Sequence, residues 1–239
     1  MNSLTDTLWT VVRWAVPLTV SAVVAAVAIG TNRIGEEVRV RAEARLAAEF
    51  PGLVVQVQGA SVVGGEGIVL RGVSLSDPRM PQQWRQVVWI DEVRIACGTS
   101  LADLAGGTLA IGGVRIRRPV VHAVRHAEGR WNLAGLARRP DTPSTVPVTI
   151  EEGTLLVDDL RLQSRTTLRR VQLECAPAAD GRAVVRGSVE GDLFQRASLQ
   201  GSLSPGGDAF DLSGAVEGAD VSPRLLQLVA AEVDPLSAS

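Results

Sequence analysis

The side chains that could perform acid–base or metal chemistry are few, and their spacing is unfavourable. His122 and His126 are the only histidines in the chain. On a β-strand they would face the same side about 13 Å apart, which is too far for both to bind one metal ion. Asp158 and Asp159 are adjacent, so on a strand their carboxylates would point to opposite faces. We therefore expect solvated histidines and predict no catalytic residue, no metal site and no cofactor.

The remaining nucleophiles give no stronger signal. The sequence contains none of the short motifs of serine hydrolases, zinc proteases, P-loop proteins or dinucleotide-binding proteins. Ser100 and Ser144 have no base nearby in the sequence. Cys97 and Cys175 could pair in an oxidising compartment, but both fall on apolar faces of strand-like segments, so we predict buried free thiols. The sequence thus favours a protein that is not an enzyme.

One uncharged run, Trp14–Gly30, has the character of a membrane span. Nineteen residues without a charge separate Arg13 from Arg33, close to the roughly 20 that a transmembrane helix needs. Two alternatives remain open: a buried core helix, and a signal peptide cleaved near the A-x-A-like site at 26–28. We predict a single N-terminal anchor. The flanking arginines lean against export of the residues that follow, so the orientation needs other evidence.

The overall composition favours a β-rich domain without a nucleic-acid partner. The net charge is −2 and no basic patch dominates, so the electrostatic footprint of a nucleic-acid-binding protein is missing. The chain has 24 Gly, 12 Pro and no Tyr, and Val far outnumbers the aromatic residues. Such a mixture is typical of many short strands joined by tight turns around an interior of Val and Leu.

A helix should follow the apolar run, over residues 33–50. Its apolar stripe consists of Ile34, Val38, Ala42, Leu46 and Phe50. Opposite charges one turn apart, at 37 and 41 and at 45 and 49, support it, and Pro51-Gly52 ends it. We predict a helix that covers the start of a sheet, with a solvated stalk as the alternative.

From Leu53 onward the hydrophobic period changes to two, which is typical of strands. The predicted strands are 53–58, 67–76, 86–97, 108–117, 119–126, 148–151, 153–158, 168–175, 183–190, 194–203 and 209–217. Because no helical crossover of a dozen residues separates them, the sequence predicts a meandering antiparallel sheet. A short helical turn at 100–105 and a closing helix at 222–231 complete the prediction.

Three prolines in eight residues make 140–147 the one clear linker. The chain then divides into a cytoplasmic tail and anchor at 1–32, a β region with its entry helix at 33–139, the linker, and further strands with the closing helix at 148–239. The last strand leaves a sheet edge without an obvious cover. We therefore expect either a ragged end or the N-terminal part of a longer product.

Five short motifs occur in order between Ile90 and Leu136. They are a V-x-I strand at 93–95, an S-L-x-x-L turn at 100–104, the segment 106–111, a V-x-I-x-x-P strand at 114–119 and G-x-W-N-L at 129–133. With an anchor before them, they make the chain similar to the N-terminal region of the AsmA-like family of bridge-like lipid-transfer proteins. The resemblance covers roughly residues 10–140, and the later strands fit by pattern only.

The resemblance implies a mainly β fold with an N-terminal transmembrane helix, in which a curved antiparallel sheet forms an open apolar groove. It implies a protein of the bacterial inner membrane with its N-terminus in the cytoplasm and its bulk in the periplasm. The implied function is cell-envelope and outer-membrane biogenesis, through binding or conducting phospholipids or other acyl lipids, with other envelope proteins as partners. Length is a departure, because about ten strands at about 5 Å each span about 50 Å, too little to cross a periplasm.

The alternation of apolar residues predicts the groove lining. On strand 86–97 the predicted lining residues are Val87, Trp89, Val93, Ile95 and Cys97; a later strand adds Val171, Leu173 and Cys175. In an open groove, Asp at position 93 or 95 should leave the fold assembled, since water can reach the charge. Two other functions remain open: an assembly factor for outer-membrane proteins that acts by strand addition, and a closed, non-catalytic extracytoplasmic β scaffold.

Overall fold

The computed structural model describes residues 34–63, 66–97, 111–136, 146–178, 180–203 and 210–219, which contain one α-helix, two short 3-10 helices and nine strands. The predicted anchor, the helical turn at 100–105 and the closing helix at 222–231 lie outside these ranges. Within them, no helix combines the length and the apolar character that a bilayer crossing requires.

The strands form one open sheet in which spatial order follows chain order. They are β1 (Val54–Val63), β2 (Gly67–Ser76), β3 (Gln86–Cys97), β4 (Ile111–Arg125), β5 (Val148–Asp159), β6 (Ser164–Pro177), β7 (Ala183–Gly191), β8 (Phe194–Leu203) and β9 (Phe210–Glu217). Two short 3-10 helices, Gln82–Trp84 and Asn132–Leu136, lie between strands. The predicted mainly β architecture is therefore confirmed.

The prediction of a wholly antiparallel sheet is wrong at one joint, because β4 and β5 pair in parallel while every other neighbouring pair is antiparallel. After β4 the chain turns back through residues 126–136 and enters β5 from the end where β4 also begins. The amide of Val114 donates to the carbonyl of Pro147 at 2.9 Å, which sets the start of this parallel ladder. The sheet is thus mixed.

Helix α1 (Ile34–Glu49) covers the first strands, as the apolar stripe predicted. Val38, Ala42 and Leu46 are at most 2% exposed and belong to the same core cluster as the sheet residues. A second contact involves the outer edge of β1: the Val57 amide donates to Glu43 Oε1 at 2.7 Å, and Arg39 Nη1 donates to the Val57 carbonyl at 3.4 Å. Helix α1 therefore covers the apolar face and also occupies backbone groups at this edge.

A row of residues with positive φ crosses the middle of the sheet. Its members are Gly72 on β2 (φ 59°), Arg118 on β4 (φ 48°), Glu152 on β5 (φ 55°) and Arg170 on β6 (φ 49°). Each interrupts the alternation of its strand. On β2 the core residues are 68 and 70 before Gly72, and 73 and 75 after it. Because each left-handed residue skips one step of the alternation, the apolar side chains before and after it lie on the same face of the sheet. This holds along strands of up to 15 residues.

This row also explains two strand breaks that the sequence predicted and the structure lacks. We expected separate strands on either side of residue 118 and on either side of Glu152. The chain instead continues as β4 and β5, with one left-handed residue in each. At Glu152 the pairing register with β6 shifts, as it does at a bulge. At Arg118 the register with β3 and β5 is unchanged, so the left-handed residue reverses the faces of the strand without ending it.

Candidate functional site

The apolar face of the sheet is built from cross-strand rows of aliphatic side chains. One row joins Leu70, Val93, Ile116, Ile150 and Leu173, each directly opposite the next. The adjacent row joins Ile68, Ile95, Val114, Val148, Cys175 and Val185. All of these residues belong to one core cluster. Cross-strand contact within such rows is the unit by which a sheet is stabilised.

All the predicted lining residues except Trp89 fall in or against this cluster. Val87, Val93, Ile95, Cys97, Leu173 and Cys175 are buried, and Val171 is partly buried against them. Their role as a lipid lining remains a prediction. The same face also contains aliphatic residues that the strand-by-strand interpretation missed; they include Leu70, Val114, Ile116, Val148 and Ile150.

Trp89 lies on the reverse face, contrary to the prediction. Its cross-strand neighbours, Ser74 and Val120, are outside the core cluster, whereas the adjacent Ile90 is inside it. The cause is the row of left-handed residues, because β3 crosses that row at Asp91, opposite Gly72 and Arg118. Alternation counted back from Val93 is therefore shifted by one residue at Trp89. Glycine at position 72 was the one available sequence signal.

The apolar face is closed as far as β7, where Val185 and Val189 are 0% and 2% exposed, and it becomes accessible on β8 and β9. On β3, Val93 is 4% and Ile95 1% exposed. On β8 the residues that contact the cluster, Phe194, Ala197 and Leu199, are only partly buried. On β9, Val216 is 59% exposed. The face is therefore a closed core as far as β7 and an accessible apolar surface on β8 and β9.

Both cysteines are free and buried, as the sequence predicted. Burial raises the pKa of the Cys175 thiol to about 11, and burial also raises the pKa of Cys97. Both thiols are therefore protonated at neutral pH, and since the thiolate is the reactive species, neither is positioned as a nucleophile.

The reverse face of the sheet carries an alternating row of charges. Arg71, Glu92, Arg117 and Glu151 lie directly opposite one another on β2, β3, β4 and β5. Glu92 is 9% exposed and accepts a 2.8 Å hydrogen bond from Arg94 Nε. This bond, with the nearby charges of Arg117 and Arg71, holds the pKa of Glu92 below its ordinary value of 4.5. The ionised carboxylate therefore stabilises the folded state.

Acid should weaken the sheet through this carboxylate. The folded-state pKa of Glu92 is depressed, so its contribution is present above about pH 4.5 and is lost as the pH falls through the folded value. We expect the urea midpoint of the parent to decrease below about pH 4.5. Glu92→Gln should lower the free energy of unfolding by about 1–3 kcal/mol at neutral pH, and its urea midpoint should depend less on pH in acid. Glu128→Gln, at an exposed turn residue, is the control. If the urea midpoint decreased equally in acid for the parent and for Glu92→Gln, Glu92 would not be the group responsible.

His122 is not the solvated histidine that the sequence predicted. Its Nε2 lies 2.7 Å from Asp158 Oδ2, and its side chain is 16% exposed. Arg165 donates to the same carboxylate at 2.5 and 3.0 Å, and the pKa of Asp158 is lowered chiefly by that arginine. Asp158 is thereby ion-paired at the far ends of β4–β6. Within the described ranges, no three His, Cys, Asp or Glu side chains converge as a metal site would need.

The G-x-W-N-L motif has a visible structural role in the turn after β4. Gly129 (φ 84°) allows a tight turn, and Trp131 pairs with Arg125, whose guanidinium lies 5.9 Å from the indole centroid. Asn132 Nδ2 donates to the His122 carbonyl at 2.9 Å, and its Oδ1 accepts the Val124 amide at 2.8 Å. The asparagine therefore occupies the edge of β4 where β3 no longer reaches.

Replacing Asn132 should loosen this end of the sheet. Val124 is completely buried, so Asn132→Ala leaves its amide without a partner, and we expect a loss of about 1–3 kcal/mol in the free energy of unfolding. Asn132→Asp keeps an acceptor for the amide and should lose less. Urea unfolding followed by tryptophan fluorescence measures both. A wild-type midpoint for Asn132→Ala would show that water replaces the side chain at no cost.

No protein-family model matches the chain, and no curated protein matches it significantly. The geometry of the sheet, together with the motif resemblance, is therefore what bears on function.

Proposed function

We propose that this protein is a membrane-anchored, extracytoplasmic module that binds phospholipid acyl chains on the accessible part of its apolar sheet face. It is not proposed to be an enzyme. In the AsmA-like interpretation it is part of a lipid path that serves envelope biogenesis, anchored in the inner membrane with the sheet in the periplasm.

The loss of burial on β8 and β9 is the observation that carries this proposal. As far as β7 the apolar residues pack into a closed core. On β8, Phe194, Ala197 and Leu199 extend the same face but are only partly covered, and Val216 on β9 is exposed. Covering such a surface with an acyl chain contributes about 0.8 kcal/mol for each buried CH₂. The accessible end is therefore where lipid should bind.

The direct experiment is to purify the full chain in a maltoside detergent and to extract and quantify bound phospholipid. We expect phospholipid in stoichiometric amount, displaced by added fatty acid in competition. A preparation that folds but holds no lipid above the level of a β-sheet control protein would remove the proposal.

Strand addition is a second function that a specific observation favours. The two edges of the sheet differ: α1 side chains occupy the backbone of β1 at Val57, whereas β9 pairs with β8 alone among the described residues. Edge strands with unpaired amides and carbonyls are templates for another strand. Proline substitution at Ala215 of β9 should abolish capture of a strand partner. If lipid is absent and a partner is trapped at β9, this function replaces the first.

A further inference from the structure

Two arginines are cross-strand neighbours on the reverse face of the sheet. Arg94 on β3 and Arg115 on β4 are directly opposite in the register. Side chains at such positions are about 5 Å apart at Cβ, and like charges there are destabilising. Each arginine has a carboxylate within ion-pair distance of its Nε: Glu92 at 2.8 Å for Arg94, and Glu151 at 3.4 Å for Arg115. Because these contacts are made at Nε, the Nη ends of the two guanidinium groups can donate to a ligand.

The surface beside these arginines is concave. A cleft of about 300 Å³ has Arg94, Arg115 and Thr149 along one side. Its floor is made of small residues in the next cross-strand row, which include Ala96 and Gly113. A Cβ added to Gly113 would meet only Pro147, at 3.6 Å, so the space above it is open. Among the described residues that line the cleft, Glu66 is the sole carboxylate; it is exposed, and its charge acts on Arg94.

The cleft lies at the end of the sheet where the chain leaves the predicted membrane span. In α1, Gly35 lies against the Ala60 carbonyl near the end of β1, and β1 runs toward the start of β2 at Gly67, which lines the cleft. Three residues separate the run that ends at Gly30 from Ile34. At about 3.5 Å for each extended residue, the start of α1 lies within about 14 Å of the bilayer surface if the run is inserted.

We propose that this cleft binds a phosphate group, through the Nη donors of Arg94 and Arg115 and the hydroxyl of Thr149. Planar guanidinium forks match phosphate oxygens, and an anion between them turns a repulsive pair into an attractive one. The phosphate can be free in solution or be the headgroup of a lipid in the bilayer. Only the second source rests on the proposed membrane attachment.

The test uses the full chain in maltoside micelles, titrated with inorganic phosphate by calorimetry at constant ionic strength. We expect saturable binding to one site that weakens about tenfold or more in Arg94→Gln and in Arg115→Gln. Arg71→Gln removes a charge from the same face but not from the cleft, so it should bind as the parent does. Gly113→Val keeps every charge and fills the floor, so it should also lose binding.

Nanodiscs distinguish the two sources. In discs of phosphatidylcholine with phosphatidic acid, a headgroup in the cleft would suppress the phosphate titration, whereas a site for free phosphate would titrate unchanged. Either result supports the cleft. Absence of saturable binding to the folded parent, or equal weakening by Arg71→Gln, would overturn the proposal. Since the acyl surface is on the opposite face, Leu199→Asp should leave phosphate binding intact. Failure of the phosphate proposal can therefore be distinguished from failure of the proposed lipid-binding function.

Discussion

Ile95→Asp is expected to unfold the domain. Ile95 is 1% exposed and lies in a row with Ile68 and Val114, so its replacement creates a cavity and buries a carboxylate without a partner. Loss of the side chain alone costs about 2–5 kcal/mol, and desolvation of the charge adds several more. The sum rivals the total stability of an ordinary domain, about 5–15 kcal/mol. Limited proteolysis of the full chain should show rapid cleavage of residues that are protected in the parent.

The matched control for this change is Ala96→Asp. Ala96 is the next residue on β3, exposed on the reverse face, and receives the same charge. It should remain protease-resistant, as should Ile95→Val, which costs only about 0.5–1.5 kcal/mol. This expectation reverses the one drawn from an open groove along the whole sheet, because Val93 and Ile95 are closed to water. If Ile95→Asp stayed resistant to proteolysis, the prediction of an open groove along the whole sheet would be supported instead.

Leu199→Asp is expected to do the opposite: to preserve the fold and abolish lipid binding. Leu199 is partly buried on the accessible part of the apolar face, so water can solvate a carboxylate there. We expect the free energy of unfolding to change by no more than about 1–2 kcal/mol. Co-purified phospholipid should fall several-fold, because an acyl chain placed against the carboxylate would desolvate it.

Gln200→Asp provides the comparison, since it places the same charge on the neighbouring exposed residue of β8. Lipid content should then match that of the parent. If Leu199→Asp retained its lipid, the acyl chains would have to bind elsewhere. If the variant unfolded, the apolar face would be a closed core as far as β8. Protease resistance and the amount of phospholipid extracted from the same preparations separate these outcomes.

Much of the fold followed from local pattern. The predicted strands 67–76 and 194–203 have the bounds of β2 and β8, because alternating apolar residues end there at turn-forming residues. The stripe of α1 identified the buried face of that helix for the same reason. Periodicity reports which side of an element is apolar, and it does so wherever the backbone is regular.

The misses occurred where the backbone is irregular or where the information is not local. Trp89 was placed on the wrong face because alternation was counted through Asp91, where the row of left-handed residues shifts it. Arg118 and Glu152 were taken for strand ends, because a residue other than glycine gives no sequence signal that its backbone has a positive φ. The parallel joint was missed because alternation is the same whichever way the neighbouring strand runs. The partner of His122, Asp158, is 36 residues away in the sequence and on another strand, so local pattern could not predict the contact.

The parallel joint between β4 and β5 has a consequence for how the sheet assembles. β1–β4 and β5–β9 are each antiparallel series in which neighbours in the chain are neighbours in space, so each can form by local closure. Joining them requires the chain between Arg125 and Val148 to close first, and contacts across longer loops form more slowly. With ten paired residues the joint is not weak once formed. Refolding should therefore pass through two preformed blocks, each exposing an unpaired strand to aggregation until they join.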